Sequence, residues 1–84
     1  MPGYQSGLEA AARKGEAVTY TTGLYTASFQ ATGILVGVAG NIVGKLLEDT
    51  SNITYPVTAG MNPLRFKTIT ESGTTATGLV IVRG

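Results

Sequence analysis

Leu79-Val80-Ile81-Val82 is the stretch on which the reading of this chain turns. Three of its four residues are β-branched, and it follows the turn-forming pair Thr77-Gly78, so it reads as a strand. Nothing in it alternates. A strand at the surface of an antiparallel sheet shows one face to water and alternates apolar with polar, whereas this one is apolar on both faces. Its inner face belongs to the domain core. Its outer face calls for a second cover, supplied by a neighbouring subunit or left as a poorly hydrated side of a sandwich.

Working backwards, other strands come into view. Leu64-Arg65-Phe66-Lys67 alternates cleanly, with Leu64 and Phe66 toward the core and Arg65 and Lys67 outward. Ile69 then falls on the Arg/Lys face, facing a partner, unless a bulge near Thr68 returns it to the core. Ile53, Tyr55 and Val57 alternate with Thr54, Pro56 and Thr58. Pro56 lacks an N–H, which places that strand at a sheet edge. Gly33-Ile34-Leu35-Val36-Gly37-Val38 and Ile42-Val43-Gly44-Lys45-Leu46-Leu47 flank Ala39-Gly40-Asn41 and read as a hairpin. Glu48–Asn52, Ala59–Pro63 and Glu71–Ala76 read as turns and loops. The expected core is Ile34, Val36, Ile42, Leu46, Ile53, Val57, Leu64, Phe66, Leu79 and Ile81.

The first thirty residues differ. Ser6-Gly7-Leu8-Glu9 has capping-box spacing, and helix-favouring residues run on to Gly15, so the segment reads as a helix of about two turns over 7–14 or equally as extended arm. From Glu16 to Thr32 the Thr- and Tyr-rich chain has no clean period. The expected organisation is an N-terminal arm over 1–30 and a β domain over 31–84, all-β in class, built as a small antiparallel β-barrel or β-sandwich.

Composition narrows the functional classes. The chain has 84 residues, enough for one domain, and a domain this small is short of core. It has no Cys and no His, which removes disulfides, thiolate and imidazole metal sites, and every nucleophile system built on His. Partner subunits remain as the usual supplement to stability. Only 13% of residues are charged, with a net charge of +1, and no basic run exceeds two residues. That balance points away from nucleic acid and from membrane surfaces. No signal segment or membrane span is expected.

Candidate chemistry is sparse. Glu48 and Asp49 are adjacent and would point to opposite faces of a strand, a poor arrangement for paired acid–base work. Gly33, Gly37 and Gly40 form neither a dinucleotide fingerprint nor a phosphate loop, since no helix follows. Arg65 and Lys67 share a strand face without an aromatic beside them, so they do not make a single-strand platform. No enzyme activity, cofactor or metal is expected.

Three segments carry a family resemblance. Gly33-Ile34-Leu35-Val36-Gly37-Val38-Ala39-Gly40-Asn41-Ile42, Tyr55-Pro56-Val57-Thr58-Ala59-Gly60-Met61-Asn62-Pro63-Leu64-Arg65-Phe66-Lys67 and Ser72-Gly73-Thr74-Thr75-Ala76-Thr77-Gly78-Leu79-Val80 occur in the order of similar motifs in one family. That family is the head spike base proteins of gene transfer agents and related tailed phages. Ala17-Val18-Thr19 resembles a motif in its N-terminal segment. The resemblance spans about residues 17–83 and is sharpest at Gly73-Thr74-Thr75-Ala76-Thr77. It implies a small β subunit of a virion, made in the cytoplasm of a bacterial host, forming an oligomeric base on the outside of the head where spikes or fibres attach. The implied partners are sister subunits, the major capsid protein and fibre or spike proteins, with no catalysis and no cofactor.

The expected interface residues are Arg65, Lys67, Ile69, Val80 and Val82. Two other readings compete with a capsid decoration or spike base. One is a tail, neck or fibre adaptor of the same particle. The other is a carbohydrate- or nucleic-acid-binding module, which would need exposed aromatics or a basic stripe.

Overall fold

The computed structural model describes residues 13–84. Eight strands occur among them: β1 (Lys14–Ala17), β2 (Leu24–Thr26), β3 (Gly33–Val36), β4 (Gly40–Leu46), β5 (Ile53–Val57), β6 (Gly60–Asn62), β7 (Phe66–Thr70) and β8 (Val80–Arg83). They form two four-stranded antiparallel sheets. Sheet A has the order β1-β8-β3-β6 and sheet B the order β2-β7-β4-β5. The fold is all-β and sandwich-like, and the two sheets do not close into a barrel.

The sheets are joined at both lateral sides by chain that crosses between them. Residues 18–23 carry β1 of sheet A into β2 of sheet B, and residues 58–59 carry β5 of sheet B into β6 of sheet A. The first crossing ends in a two-residue turn between Thr21 and Leu24, which exchange backbone hydrogen bonds. Both central residues have positive φ, 51° at Thr22 and 81° at Gly23, the geometry that matches strand twist in a tight hairpin.

Inside lie Phe66, Ile34, Ile42, Ile69 and Ile81, the largest fully buried side chains, with Tyr25, Ala31, Val36, Val57, Ala76 and Leu79 around them. The Tyr55 ring meets Phe66 edge-on at 5.5 Å. Seven of the ten expected core residues are buried, and Leu46 and Leu64 pack against them. Ile53 is the exception at 42% exposed, because it begins the edge strand β5 where no further strand covers it.

Several expectations need correction. The arm predicted over 1–30 is not an arm from Lys14 onward, since β1 and β2 are integral edge strands and Tyr25 is a core residue. Of the helix predicted over 7–14, residues 7–12 lie outside the described residues, and Lys14 opens β1. β3 and β4 do not pair as a hairpin, because the chain changes sheets between them. The turn expected at Ala59–Pro63 contains a short strand, β6, whose Asn62 side chain ties the crossing together. Its Nδ2 donates to the Thr58 carbonyl at 2.8 Å and to the Gly60 carbonyl at 3.1 Å.

Ile69 is fully buried and leaves the expected interface. Lys45 pairs with Thr68 while Leu46 pairs with Phe66, so Lys67 is an extra residue in β7. That bulge resets the alternation and turns both Phe66 and Ile69 inward. Val82 also leaves it, being 2% exposed within the subunit.

Gly73-Thr74-Thr75-Ala76-Thr77 has a structural role. Thr74 Oγ1 donates to the Thr70 carbonyl at 2.6 Å and accepts from the Val43 N–H at 3.0 Å. Thr75 Oγ1 accepts from the Asn41 N–H at 2.9 Å. The β7–β8 loop is thereby laid along β4 and supplies bonds that a ladder would otherwise provide. A Cβ on Gly40 would stand 2.7 Å from the Ala76 nitrogen, so that approach requires glycine.

Candidate interaction face

Cross-strand register decides which side chains share a face. In sheet A, Ala17 stands opposite Val80, Val80 opposite Leu35, and Leu35 opposite Met61. These four residues come from β1, β8, β3 and β6 and make one continuous row across the whole sheet. The row faces outward, because Ile34 and Ile81, one residue away along their strands, are fully buried in the core. Leu35 is 39% exposed and Met61 46%; Ala17 is exposed and Val80 half-buried.

The adjacent row is Gly15, Val82 and Gly33. Its glycines leave room for their neighbours. Val80 Cγ1 and Val82 Cγ1 lie 3.3 and 3.7 Å from where a Gly15 Cβ would be, and Met61 Sδ lies 2.9 Å from that of Gly33. Met61 thus lies over Gly33, beside Val82. The outward strand positions of sheet A therefore hold only Gly, Ala, Val, Leu and Met.

The outer face of sheet B is of a different kind. Leu24 stands opposite Thr70, Thr26 opposite Thr68, Thr70 and Thr54 each opposite Val43, and Lys45 opposite Thr68. Threonine on an exposed pleated surface satisfies both strand propensity and hydration. The molecule has one water-compatible side and one apolar side.

The expected interface residues separate accordingly. Val80 lies in the apolar row. Arg65 and Lys67 do not join it, lying instead in the connection before β7 and in the β7 bulge. Leu35, Met61 and Ala17 were not expected there. Placing Ile34 and Val36 in the core turns Leu35 outward, but nothing local sets it opposite Val80, and Met61 reads as a turn residue.

Elsewhere two carboxylates, Glu16 and Asp49, are engaged in holding the fold. Across the seam between β1 and β2, Glu16 accepts from the Tyr25 hydroxyl and, at 2.8 Å, from Ser28 Oγ. These bonds hold the Glu16 carboxyl below its ordinary value of 4.5, while burial and the neighbouring carboxylate push the Tyr25 phenol well above 10.0. Asp49 accepts from the Tyr55 hydroxyl at 2.6 Å and from the Leu46 N–H at 2.8 Å, which lowers its carboxyl and raises the phenol. Open clefts of about 360 and 380 Å³ lie at the β1–β2 seam and beside Leu46, Leu47, Pro63 and Arg65. Among the described residues no group of three His, Cys, Asp or Glu stands together as a metal site would require.

No family model matches the chain, and neither the curated proteins nor the solved structures offer a match.

Proposed function

We propose that this protein is a structural subunit of a phage-type virion, acting as a capsid decoration or head spike base that packs on sister subunits and on the capsid. The observation that carries the packing half of this reading is the row Ala17–Val80–Leu35–Met61 on the outside of sheet A. Four apolar side chains in register, with glycines beside them, form a flat surface that gains free energy when covered, at about 25 cal/mol per Å² of apolar area. A second sheet laid face to face is the simplest cover, as in any β-sandwich. The virion half rests on the sequence motifs of residues 33–42, 55–67 and 72–80, which resemble head spike base proteins. The subunit would work by occupying a position and presenting a rigid module to its neighbours.

The test is a reconstruction of the intact particle from the source of this sequence, combined with antibody labelling. Density for the sandwich on the head surface, with sheet A against a neighbour, is the expected result. Density confined to the tail or neck would favour the adaptor reading. Absence of the chain from purified particles would overturn the proposal.

A further inference from the structure

In the sequence the six Lys and Arg residues are scattered, yet the fold brings all six to one end of the sandwich. Arg13 and Lys14 open β1 and Arg83 closes β8, directly opposite Lys14. Lys45 is the penultimate residue of β4, Lys67 the second of β7, and Arg65 lies in the connection just before it. Antiparallel register puts these strand ends together: Leu46 meets Phe66, Lys14 meets Arg83, and residues 63–65 join the corresponding end of β6 to β7. The loop at the opposite end carries Glu71. Of the remaining acidic residues, Glu9 lies outside the described residues.

Glu16, Glu48 and Asp49 share this end and offset part of its charge, Glu16 acting on Lys14 and Asp49 on Lys67, which leaves six cations against three carboxylates. Glu16 gives its two oxygens to Tyr25 and Ser28, and Asp49 is engaged by Tyr55 and Leu46. Lys14 and Arg83 form a like-charged cross-strand pair, an arrangement that destabilises a sheet. Phe29 holds both, with Lys14 Nζ at 5.1 Å and Arg83 Cζ at 5.7 Å from its ring centre. The ring's π-face attracts the cations without cancelling their charge.

We propose that this end of the sandwich docks an acidic protein segment, whose carboxylates pair with Arg13, Arg65 and Arg83 and with the lysines around them. Three features favour a protein over a nucleic acid. Glu48 is exposed within the same surface and would repel a continuous phosphate backbone, whereas discrete carboxylates can be placed around it. The cleft at this end has Leu46, Leu47 and Pro63 in its walls beside Arg65, Glu48 and Asp49, so its apolar part suits a peptide side chain, and Phe29 is already occupied by cations rather than free to stack on bases. The inference concerns the isolated chain in solution and does not depend on the virion reading.

The test uses the full chain, a fluorescent polyglutamate peptide and, as a second probe, a short DNA duplex. Peptide binding is expected to weaken about tenfold between about 50 and 300 mM NaCl. The double variant R13E/R65E is expected to lose about tenfold in affinity, with its β circular-dichroism signal retained, while E71K at the far end changes binding less than about twofold. Should the double variant unfold, Arg65→Gln replaces it, with a loss of about threefold expected. Absence of peptide binding, salt-independent binding, an equal response to E71K, or tighter binding of the DNA duplex at the same salt would each overturn the proposal.

Discussion

Tyr25 on β2 donates its hydroxyl to Glu16 on β1, so a hydrogen bond to a carboxylate spans the seam where the two sheets meet. Ser28 adds a second donor to the same carboxylate. A carboxyl held below its ordinary value favours the folded state when ionised. Its contribution is therefore present above the unfolded value of 4.5 and is lost as pH falls through the lower folded value. Thermal stability is expected to hold from neutral pH down to about 4.5 and then to fall. Glu16→Gln should remove part of that acid limb, measured as Tm against pH. A variant with an unchanged acid limb would show that the seam bond contributes nothing.

At alkaline pH the sign reverses. Tyr25, Tyr20 and Tyr55 all have phenols raised above 10.0, so their contribution is present below that value and disappears as pH rises through the folded values. Absorbance titration of the folded protein should show tyrosinate forming later than in the denatured chain. Tyr25→Phe should remove the latest of the transitions.

The β7 bulge can be tested directly. Simple alternation from Phe66 puts Ile69 outside, where lysine would be tolerated; the observed register puts it in the core. Ile69→Lys should abolish folding, since an unpaired buried charge costs several kcal/mol and a domain of this size has few to spare. Lys67→Thr, on the extra residue, should change stability by less than about 0.5 kcal/mol. Chemical denaturation of the two variants distinguishes the registers.

Gly44 is set against β7 so closely that an added Cβ would meet the Thr68 carbonyl and stand 3.1 Å from the Ile69 Cα. Both are backbone atoms and cannot rotate aside. Gly44→Ala is expected to cost about 3 kcal/mol, read from urea denaturation, despite being a substitution that normally favours order.

The apolar face should be separable from the core. Leu35→Lys places a charge in the middle of the outward row, where water already reaches the side chain. Self-association is expected to weaken at least about tenfold by sedimentation, with stability altered by no more than about 0.5 kcal/mol. If wild type and variant sediment alike as assembled species, the association uses another surface.

The all-β class, the edge position of the Pro56 strand and most of the core were legible because alternation and proline chemistry act locally. What was not legible depends on which sheet a strand enters. Gly33–Val38 and Ile42–Leu47 have every local mark of a hairpin, and nothing in Ala39-Gly40-Asn41 says that the chain crosses to the other sheet instead. β1 and β2 lacked a clean period because edge strands of three or four residues show too few positions to establish one. Leu79–Val82 did signal two apolar faces. The glycines at 15 and 33 beside Val82 could be counted in the sequence but not placed there. The gathering of the six cations was invisible for the same reason, since strand ends far apart in the chain become neighbours only through register.

The position of β8 within sheet A has a consequence for synthesis. Among the described residues β1 pairs only with β8, and β8 also pairs with β3, so β8 holds β1 in its sheet. Until Val80–Arg83 leave the ribosome, β1 has no partner within the sheet and Ala17 and Leu35 have no Val80 between them. The continuous apolar row of sheet A is thus absent from the growing chain until β8 is available. Ile81 reaches the core and Val80 the outer row with the same strand, so the interior and the apolar row are completed in one step.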